Sequence, residues 1–171
     1  MPALPRDPIA LARENWVERG WAESADAMAL VTSVMRVQQI LLQRIESTLR
    51  ASGLSFARFE LLRLLAFSHE GRLPLARIRA VLQVHPASVT NAVDRLVSDD
   101  LVRRETDPDD GRAVIVQLTA AGRERVEQAT PLLNAVFAAV ELEPAEIEQV
   151  TAVLAAFRHR AGDFAEAPEP A

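Results

Sequence analysis

The chain contains no cysteine, no lysine and no long apolar run. Without cysteine there is no disulfide framework, no thiolate nucleophile and no Cys-ligated metal. Its three histidines, His69, His85 and His159, are far apart in sequence and predict no zinc site. No apolar run approaches the roughly 20 residues of a membrane helix, and the first residues lack the pattern of a signal peptide. We therefore expect a cytoplasmic protein without metal or cofactor.

Charge is unevenly distributed. The formal net charge is −5, the wrong sign for a simple nucleic-acid binder, and all 19 basic residues are arginine. Residues 50–125 hold 12 arginines against 10 acidic residues, whereas the remainder holds 7 against 14. The exclusive use of arginine fits bidentate contacts to guanine and phosphate, and it equally fits a general bias toward Arg and Ala.

Hydrophobic spacing predicts a mainly α fold with a small β-hairpin. About half of the 171 residues are hydrophobic, which is typical of a globular chain. The predicted order of helices is a short helix after Asp7-Pro8, a long helix from Asp26 to about Arg50, Phe56 to about Phe67 capped by Ser55, Leu75 to about Leu82, a helix from Pro86, a helix capped by Thr119 that kinks at Pro131, and a last helix from Pro144. The segment 69–72 is predicted to be a polar loop.

The helix from Pro86 has one apolar face, with Val89, Val93, Leu96 and Val97 at helical spacing. The opposite face is small and polar, and such a face lets the backbone approach base edges. Asn91 and Arg95 can form bidentate bonds to adenine and guanine, and Thr90 can contact thymine. Ser88 and Thr90 can also hold phosphate near the helix N-terminus. A solvated helix face is the alternative interpretation.

Two alternating segments, 101–105 and 113–118, predict a hairpin after this helix. The intervening tip carries three aspartates, which would repel phosphate. Asp110 stands two residues before Arg112, and we expect it to brace the Arg112 guanidinium toward the minor groove. Arg103 and Arg104 point to opposite faces of the first strand, so one of them is expected to meet the DNA backbone.

Five short segments resemble the MarR family of bacterial transcription regulators. In order they are Pro86-Ala87-Ser88-Val89-Thr90, Val93-Asp94-Arg95-Leu96, Leu101-Val102-Arg103-Arg104, Asp107-Pro108-Asp109-Asp110-Gly111-Arg112 and Leu118-Thr119-Ala120-Ala121-Gly122. The resemblance covers about residues 26–160. It implies a winged helix-turn-helix domain joined to a helical dimerisation region.

The resemblance implies that a homodimer binds a palindromic operator on double-stranded DNA, with recognition helices about 34–36 Å apart. It also implies a cleft for a small, often aromatic or phenolic, effector that shifts the dimer toward a non-binding spacing. The implied regions are an N-terminal extension helix (1–25), a dimerisation helix (26–54), the winged helix-turn-helix DNA-binding region (55–119), further dimerisation helices (120–160) and a flexible acidic tail (161–171). The candidate DNA-binding residues are Pro86, Ser88, Thr90, Asn91, Arg95, Arg103, Arg104, Asp110 and Arg112.

Four residues are candidates for effector binding: Trp16, Trp21, Arg36 and His69. For the tryptophans the alternative is that they fasten the N-terminal extension to the body, and for Arg36 it is an ordinary surface position. Without cysteine the chain cannot belong to the thiol-oxidation branch of the family. The N-terminal helix resembles the extension of the urate-responsive branch, but the acidic and amide residues of that branch do not fall into place.

We therefore predict a ligand-responsive DNA-binding regulator that acts as a repressor. The alternative is a winged helix that binds a protein partner instead of DNA, which the wing carboxylates and the negative net charge favour. An enzyme is not predicted, because the polar residues near His85 lie on a helix face without a buried base or a nucleophile turn. The effector, the operator and the target genes are not encoded in any recognisable motif.

Overall fold

The computed structural model describes residues 4–82, 86–108 and 110–166, without the side chains of Pro86 and Ala87. The helices and strands within these ranges are, in order, α1 (Pro8–Glu18), α2 (Ala22–Leu49), α3 (Phe56–Phe67), β1 (Arg72–Pro74), α4 (Leu75–Val81), α5 (Pro86–Ser98), β2 (Val102–Thr106), β3 (Val114–Leu118), α6 (Ala120–Ala138) and α7 (Pro144–Arg160). Single 3₁₀ turns, Arg50–Ser52 and His69–Gly71, follow α2 and α3. The chain divides into two compact units, one ending at Asn134 and the other beginning at Ala135.

Side-chain caps set several helix starts, as the sequence predicts. The Asp7 carboxylate accepts a hydrogen bond from the Ile9 amide at 2.9 Å, and the Ser55 hydroxyl accepts one from the Arg58 amide at 3.4 Å. These contacts satisfy backbone N–H groups that have no partner within the helix.

The prediction that the long helix begins at Asp26 was wrong, because α2 begins at Ala22. Asp26 lies one turn inside the helix, where its carboxylate accepts from Arg13 of α1 at 2.5 Å.

The core of the first unit lies among α3, α5, the sheet and the first half of α6. Its fully buried side chains are mostly leucine and valine, and they include Leu61, Leu62, Leu65, Ile78, Val89, Val93, Leu96, Val102, Val116, Val126 and Leu133. Burying a side chain of this size stabilises the fold by about 1.5–3 kcal/mol. The core holds α5 by its apolar face and leaves its polar face outward.

The sheet has three antiparallel strands in the order β1-β3-β2. The predicted hairpin is confirmed, with Val102 opposite Leu118 and Thr106 opposite Val114. The prediction that 69–72 is wholly loop was wrong, because Arg72 begins the strand Arg72–Pro74, in which Leu73 lies opposite Val116. The helix predicted from Leu75 does begin there. A three-residue strand carries no periodicity of its own, and its existence depends on pairing with a strand more than 40 residues away.

The α6 helix begins at the base of the hairpin. The Thr119 hydroxyl accepts a hydrogen bond from the Gly122 amide at 2.9 Å, which confirms the predicted cap. The same hydroxyl lies 2.8 Å from the Asp100 carbonyl and 3.0 Å from the Leu101 carbonyl. Pro131 lies inside α6, and the helix continues through it to Ala138. The first turn of α6 is therefore tied to the loop between α5 and β2.

Arg63 of α3 ties that helix to the middle of α6. Its guanidinium donates to the Glu127 carboxylate at 3.0 Å, to the Val126 carbonyl at 3.0 Å and to the Thr130 hydroxyl.

None of the helices in the described ranges combines the length and apolar character of a membrane crossing. In the same ranges no group of three or more His, Asp or Glu side chains is arranged to hold a metal ion.

Candidate nucleic-acid interface

The α5 helix has two contrasting faces. Val89, Val93 and Leu96 of the predicted apolar face are buried together with Ala92, whereas Val97 is half-buried. The exposed residues are Ser88, Asn91, Asp94, Arg95 and Ser98, and Thr90 is half-buried. At 100° per residue, Asn91 and Ser98 lie near the middle of the exposed arc, with Thr90 and Asp94 along one edge and Ser88 and Arg95 along the other. The predicted groove-reading face is therefore presented to solvent.

Two arginines from neighbouring elements bind the Thr90–Asp94 edge. The Arg79 guanidinium of α4 donates to the Thr90 hydroxyl at 3.0 Å. The Arg104 guanidinium of β2 lies 2.6 Å from the Asp94 carboxylate. Both bonds leave further N–H groups on each guanidinium, because the group carries five donors. Sequence reasoning did not single out Arg79 or this role of Asp94, since both partners are brought together only by tertiary packing.

The two strand arginines lie on opposite faces of β2, as predicted. Arg103 donates to the Gln117 side chain at 3.0 Å and pairs with Glu105 at 2.9 Å, so it remains within the sheet surface. Arg104 faces α5 through its contact with Asp94. Of the two, Arg104 is the one adjacent to the groove-reading face.

The wing turn has a different internal contact from the predicted one. The Asp110 carboxylate accepts a hydrogen bond from the Arg112 backbone amide at 3.0 Å, and the Asp110 carbonyl accepts from the Ala113 amide at 2.8 Å. Asp110 therefore braces the backbone of the turn, which corrects the expectation that it braces the Arg112 guanidinium. Both side chains are exposed. Another aspartate of the tip, Asp109, lies outside the described residues, as does the Pro86 side chain.

The loop between α5 and β2 is fixed from two sides. Arg58 of α3 donates to the Asp99 carboxylate at 3.1 Å and to the Gly53 carbonyl at 2.8 Å. On the other side, the Leu101 carbonyl accepts from the Thr119 amide at 3.1 Å. Because both ends of this loop are bonded, α5 and the hairpin have a defined relative position.

The four predicted effector residues do not form one cluster through the contacts described here. Trp16 and Trp21 contact each other edge to face, with ring centroids 5.3 Å apart at the junction of α1 and α2. Arg36 is exposed and donates to the Gln39 side chain at 3.3 Å. His69 is exposed in the turn after α3, with Nδ1 3.9 Å from the Glu70 carboxylate.

Two open cavities lie at the turn between α2 and α3. One, of about 620 Å³, is lined by residues that include Arg50, Ser52, Arg125 and Leu132, and the other, of about 250 Å³, by Glu46, Arg50, Ser55 and Arg58 among others. None of the four predicted effector residues lines either cavity. Arg125 already donates to the Ser52 carbonyl at 2.8 Å, so this cation serves to hold the turn.

Comparison with known proteins identifies the family. The model of the MarR family matches residues 52–113. Sco5413, a MarR family transcriptional regulator from Streptomyces coelicolor, is 44% identical over 82% of this chain and 99% of its own, with a TM-score of 0.74. BpsR from Bordetella bronchiseptica, whose DNA binding is regulated by 6-hydroxynicotinic acid, is 26% identical over 79% of this chain and 93% of its own, with a TM-score of 0.68.

A third relative is the HTH-type transcriptional repressor YetL from Bacillus subtilis. It is 28% identical over 107 residues, or 63% of this chain and 64% of YetL. The chain spans between 38% and 68% of the length of the curated relatives it matches. The match to Sco5413 is both extensive and well above 30% identity, and the winged helix found here is the fold that such regulators share. This chain belongs to the MarR family of transcriptional regulators.

Proposed function

We propose that this regulator is a homodimeric repressor that binds a palindromic operator and releases it when a small aromatic effector binds. In this proposal residues 55–119 bind DNA, and residues 26–54 and 120–160 form the dimer. Residues 1–25, which include α1, are the N-terminal extension, and 161–171 are the acidic C-terminal segment. The observation that carries the proposal is the outward polar face of α5, held on an apolar face and followed directly by the wing.

Asn91 and Arg95 are the proposed base readers, because both are exposed on α5 and both side chains match base edges bidentately. Arg112, exposed in the wing turn, is the proposed minor-groove contact. Ser88, near the N-terminus of α5, is proposed to bind a phosphate.

An exposed apolar stripe on α2 supports the proposed dimer. Near the C-terminus of α2, Ile45 and Leu49 are buried against the chain itself. Toward the N-terminus the same stripe is open, and Leu30 and Val34 are 63% and 45% exposed. A row of large apolar side chains in water is the usual sign of a protein contact surface. Apolar side chains of α7 are also exposed, with Leu154 at 42% and Phe157 at 65%.

Release by an effector is proposed from the relatives and from the physics of two-state regulators. BpsR responds to 6-hydroxynicotinic acid, and YetL is a repressor. An effector that prefers the non-binding spacing of the two wings lowers operator affinity by that preference alone. Trp16 and Trp21 are the chain's two tryptophans, and there is no tyrosine, so intrinsic fluorescence reports on this pair alone. Quenching by a small aromatic carboxylate such as benzoate would place the effector at the pair.

The central experiment is selection of operators from randomised duplexes, followed by titration at several salt concentrations. We expect a two-fold symmetric consensus with half-sites about 10–10.5 bp apart and binding that falls steeply with salt. A duplex taken from the DNA upstream of the gene that encodes this chain tests autoregulation separately. Arg112→Ala should weaken binding broadly, whereas Asn91→Ala should change the preferred base at one position of each half-site.

The matched control for charge is Arg19→Ala, which removes one exposed cation at the end of α1. It should leave the consensus and the affinity unchanged. A stable chain that binds no duplex and co-purifies with a protein partner would support the alternative, a winged helix devoted to protein interaction.

A further inference from the structure

We infer that Arg79 is a phosphate-contacting residue and that Thr90 acts by positioning it, so that the Thr90–Asp94 edge of α5 serves the DNA backbone while Asn91 and Arg95 serve the bases. This inference rests on the proposed DNA-binding function. It assigns a role to a residue of α4 that lies outside the recognition helix and the wing.

A side-chain hydrogen bond connects α4 to α5. Arg79 is exposed, and its guanidinium donates to the Thr90 hydroxyl at 3.0 Å. An arginine side chain that is fixed at one nitrogen presents its remaining donors in a known direction, and the planar fork suits a phosphate. The Thr90 hydroxyl oxygen therefore accepts a hydrogen bond from Arg79 and is not directed at a base only.

The arrangement repeats one helical turn later on α5. Asp94 stands four residues after Thr90 on the same edge of α5, and its carboxylate binds Arg104 at 2.6 Å. A carboxylate on a DNA-facing edge would repel phosphate unless a cation offset its charge. Arg104 supplies that cation and places its other donors beside the helix. Two guanidinium groups, one from α4 and one from β2, thus border the same edge.

The other exposed residues of α5 differ from Thr90 and Asp94 in their contacts. Asn91 and Arg95 lie away from this edge, where no arginine of a neighbouring element is bonded within the described residues. Their side chains are available to hydrogen-bond base edges, in agreement with their proposed role. Backbone contacts fix the register of a protein on DNA, while base contacts supply the sequence preference. The Thr90–Asp94 edge thus takes the first task, and Asn91 and Arg95 take the second.

The test is the salt dependence of duplex binding by the full chain. Each phosphate contact adds about 0.9 to the slope of log K against log salt, so Arg79→Ala should lower the slope of a dimer by about 1.8. The loss should be equal for operator and random duplex, with the selected consensus unchanged. Thr90→Val, which keeps the shape but removes the acceptor, should lower the slope in the same direction, and Thr90→Ser should restore it.

A double-mutant cycle shows whether Thr90 acts through Arg79. In the Arg79→Ala background, Thr90→Val should have no further effect on the slope. Arg19→Ala is the control for losing one cation, and thermal unfolding of each variant checks that the fold is kept. A wild-type slope for Arg79→Ala, or a changed consensus for Thr90→Val, would overturn the inference while leaving the proposed function intact. Absence of duplex binding by the wild type would overturn both.

Discussion

The carbonyl oxygen of Leu101 lies 2.0 Å from the point that a β-carbon on Gly122 would occupy. Real β-carbons do not approach an oxygen so closely, and the obstacle is backbone, which cannot move aside as a flexible side chain can. The same carbonyl accepts from the Thr119 amide at 3.1 Å. The first turn of α6 therefore requires glycine at this position for close approach to the base of the wing.

Gly122→Ala should lower the free energy of unfolding by about 3 kcal/mol, at the upper end of the cost of overpacking, because the helix and the Leu101 carbonyl must separate. Chemical denaturation measures this change. The matched control is Gly111→Ala in the wing turn, where an added β-carbon meets no atom within 4 Å. The control should stay within about 0.5 kcal/mol of the wild type. Equal unfolding midpoints for the two variants would contradict the importance of the contact.

Asp110→Ala should weaken operator binding about three- to tenfold, because the turn loses the acceptor that holds the Arg112 amide. Asp110→Asn keeps a side-chain oxygen in the same place and removes a negative charge facing DNA. It should bind at least as tightly as the wild type. Fluorescence anisotropy with a labelled operator distinguishes these results. If Asn weakened binding as much as Ala, the carboxylate charge would matter and the backbone brace would not.

Leu30→Glu should convert the proposed dimer into a monomer, since it places an unpaired charge within the apolar stripe of α2. The cost of an uncompensated buried charge is about 3–5 kcal/mol. Sedimentation velocity measures the mass directly. Gln43→Glu introduces the same charge on α2 away from the stripe and should leave the mass unchanged. A monomeric wild type, or a dimeric Leu30→Glu variant, would exclude α2 as the interface.

Glu60 of α3 predicts a pH effect. Burial raises the pKa of its carboxyl group, by desolvation of the charged form. The folded chain therefore holds this proton more tightly than the unfolded chain. The carboxylate costs stability at neutral pH, and this cost disappears as the pH falls below the ordinary pKa of glutamate. Glu60→Gln should thus raise the unfolding temperature at pH 7 and have less effect at pH 4. An equal change at both pH values would contradict the desolvation argument.

The sequence predicted the family, the winged-helix fold and the absence of an enzymatic role, and membership in a family of regulators agrees with all three. The success depends on local signals. Ser55 and Thr119 are caps whose bonds span only three residues. The alternation at Val114 and Val116 and the helical spacing at Val89 and Val93 are likewise readable within one element.

The sequence did not predict features that depend on distant pairing. β1 exists because Leu73 meets Val116, and Asp26, expected to begin the long helix, lies inside it in contact with Arg13 of another helix. In the candidate interface, the partners of Thr90 and Asp94 come from α4 and β2. The predicted brace at Asp110 failed in detail because a short side chain two residues away reaches a backbone amide more easily than a guanidinium.

The hydrogen bonds of Thr119 and the close approach of Gly122 join the base of the wing to the first turn of α6. The carbonyls of Asp100 and Leu101 both accept from the Thr119 hydroxyl, so the loop is bonded to the start of α6. An effector in the proposed mechanism then has no need to touch α5 or the wing. A rotation of the first turn of α6 would carry the wing through the same angle, and binding would be lost through geometry with every DNA-facing side chain unchanged.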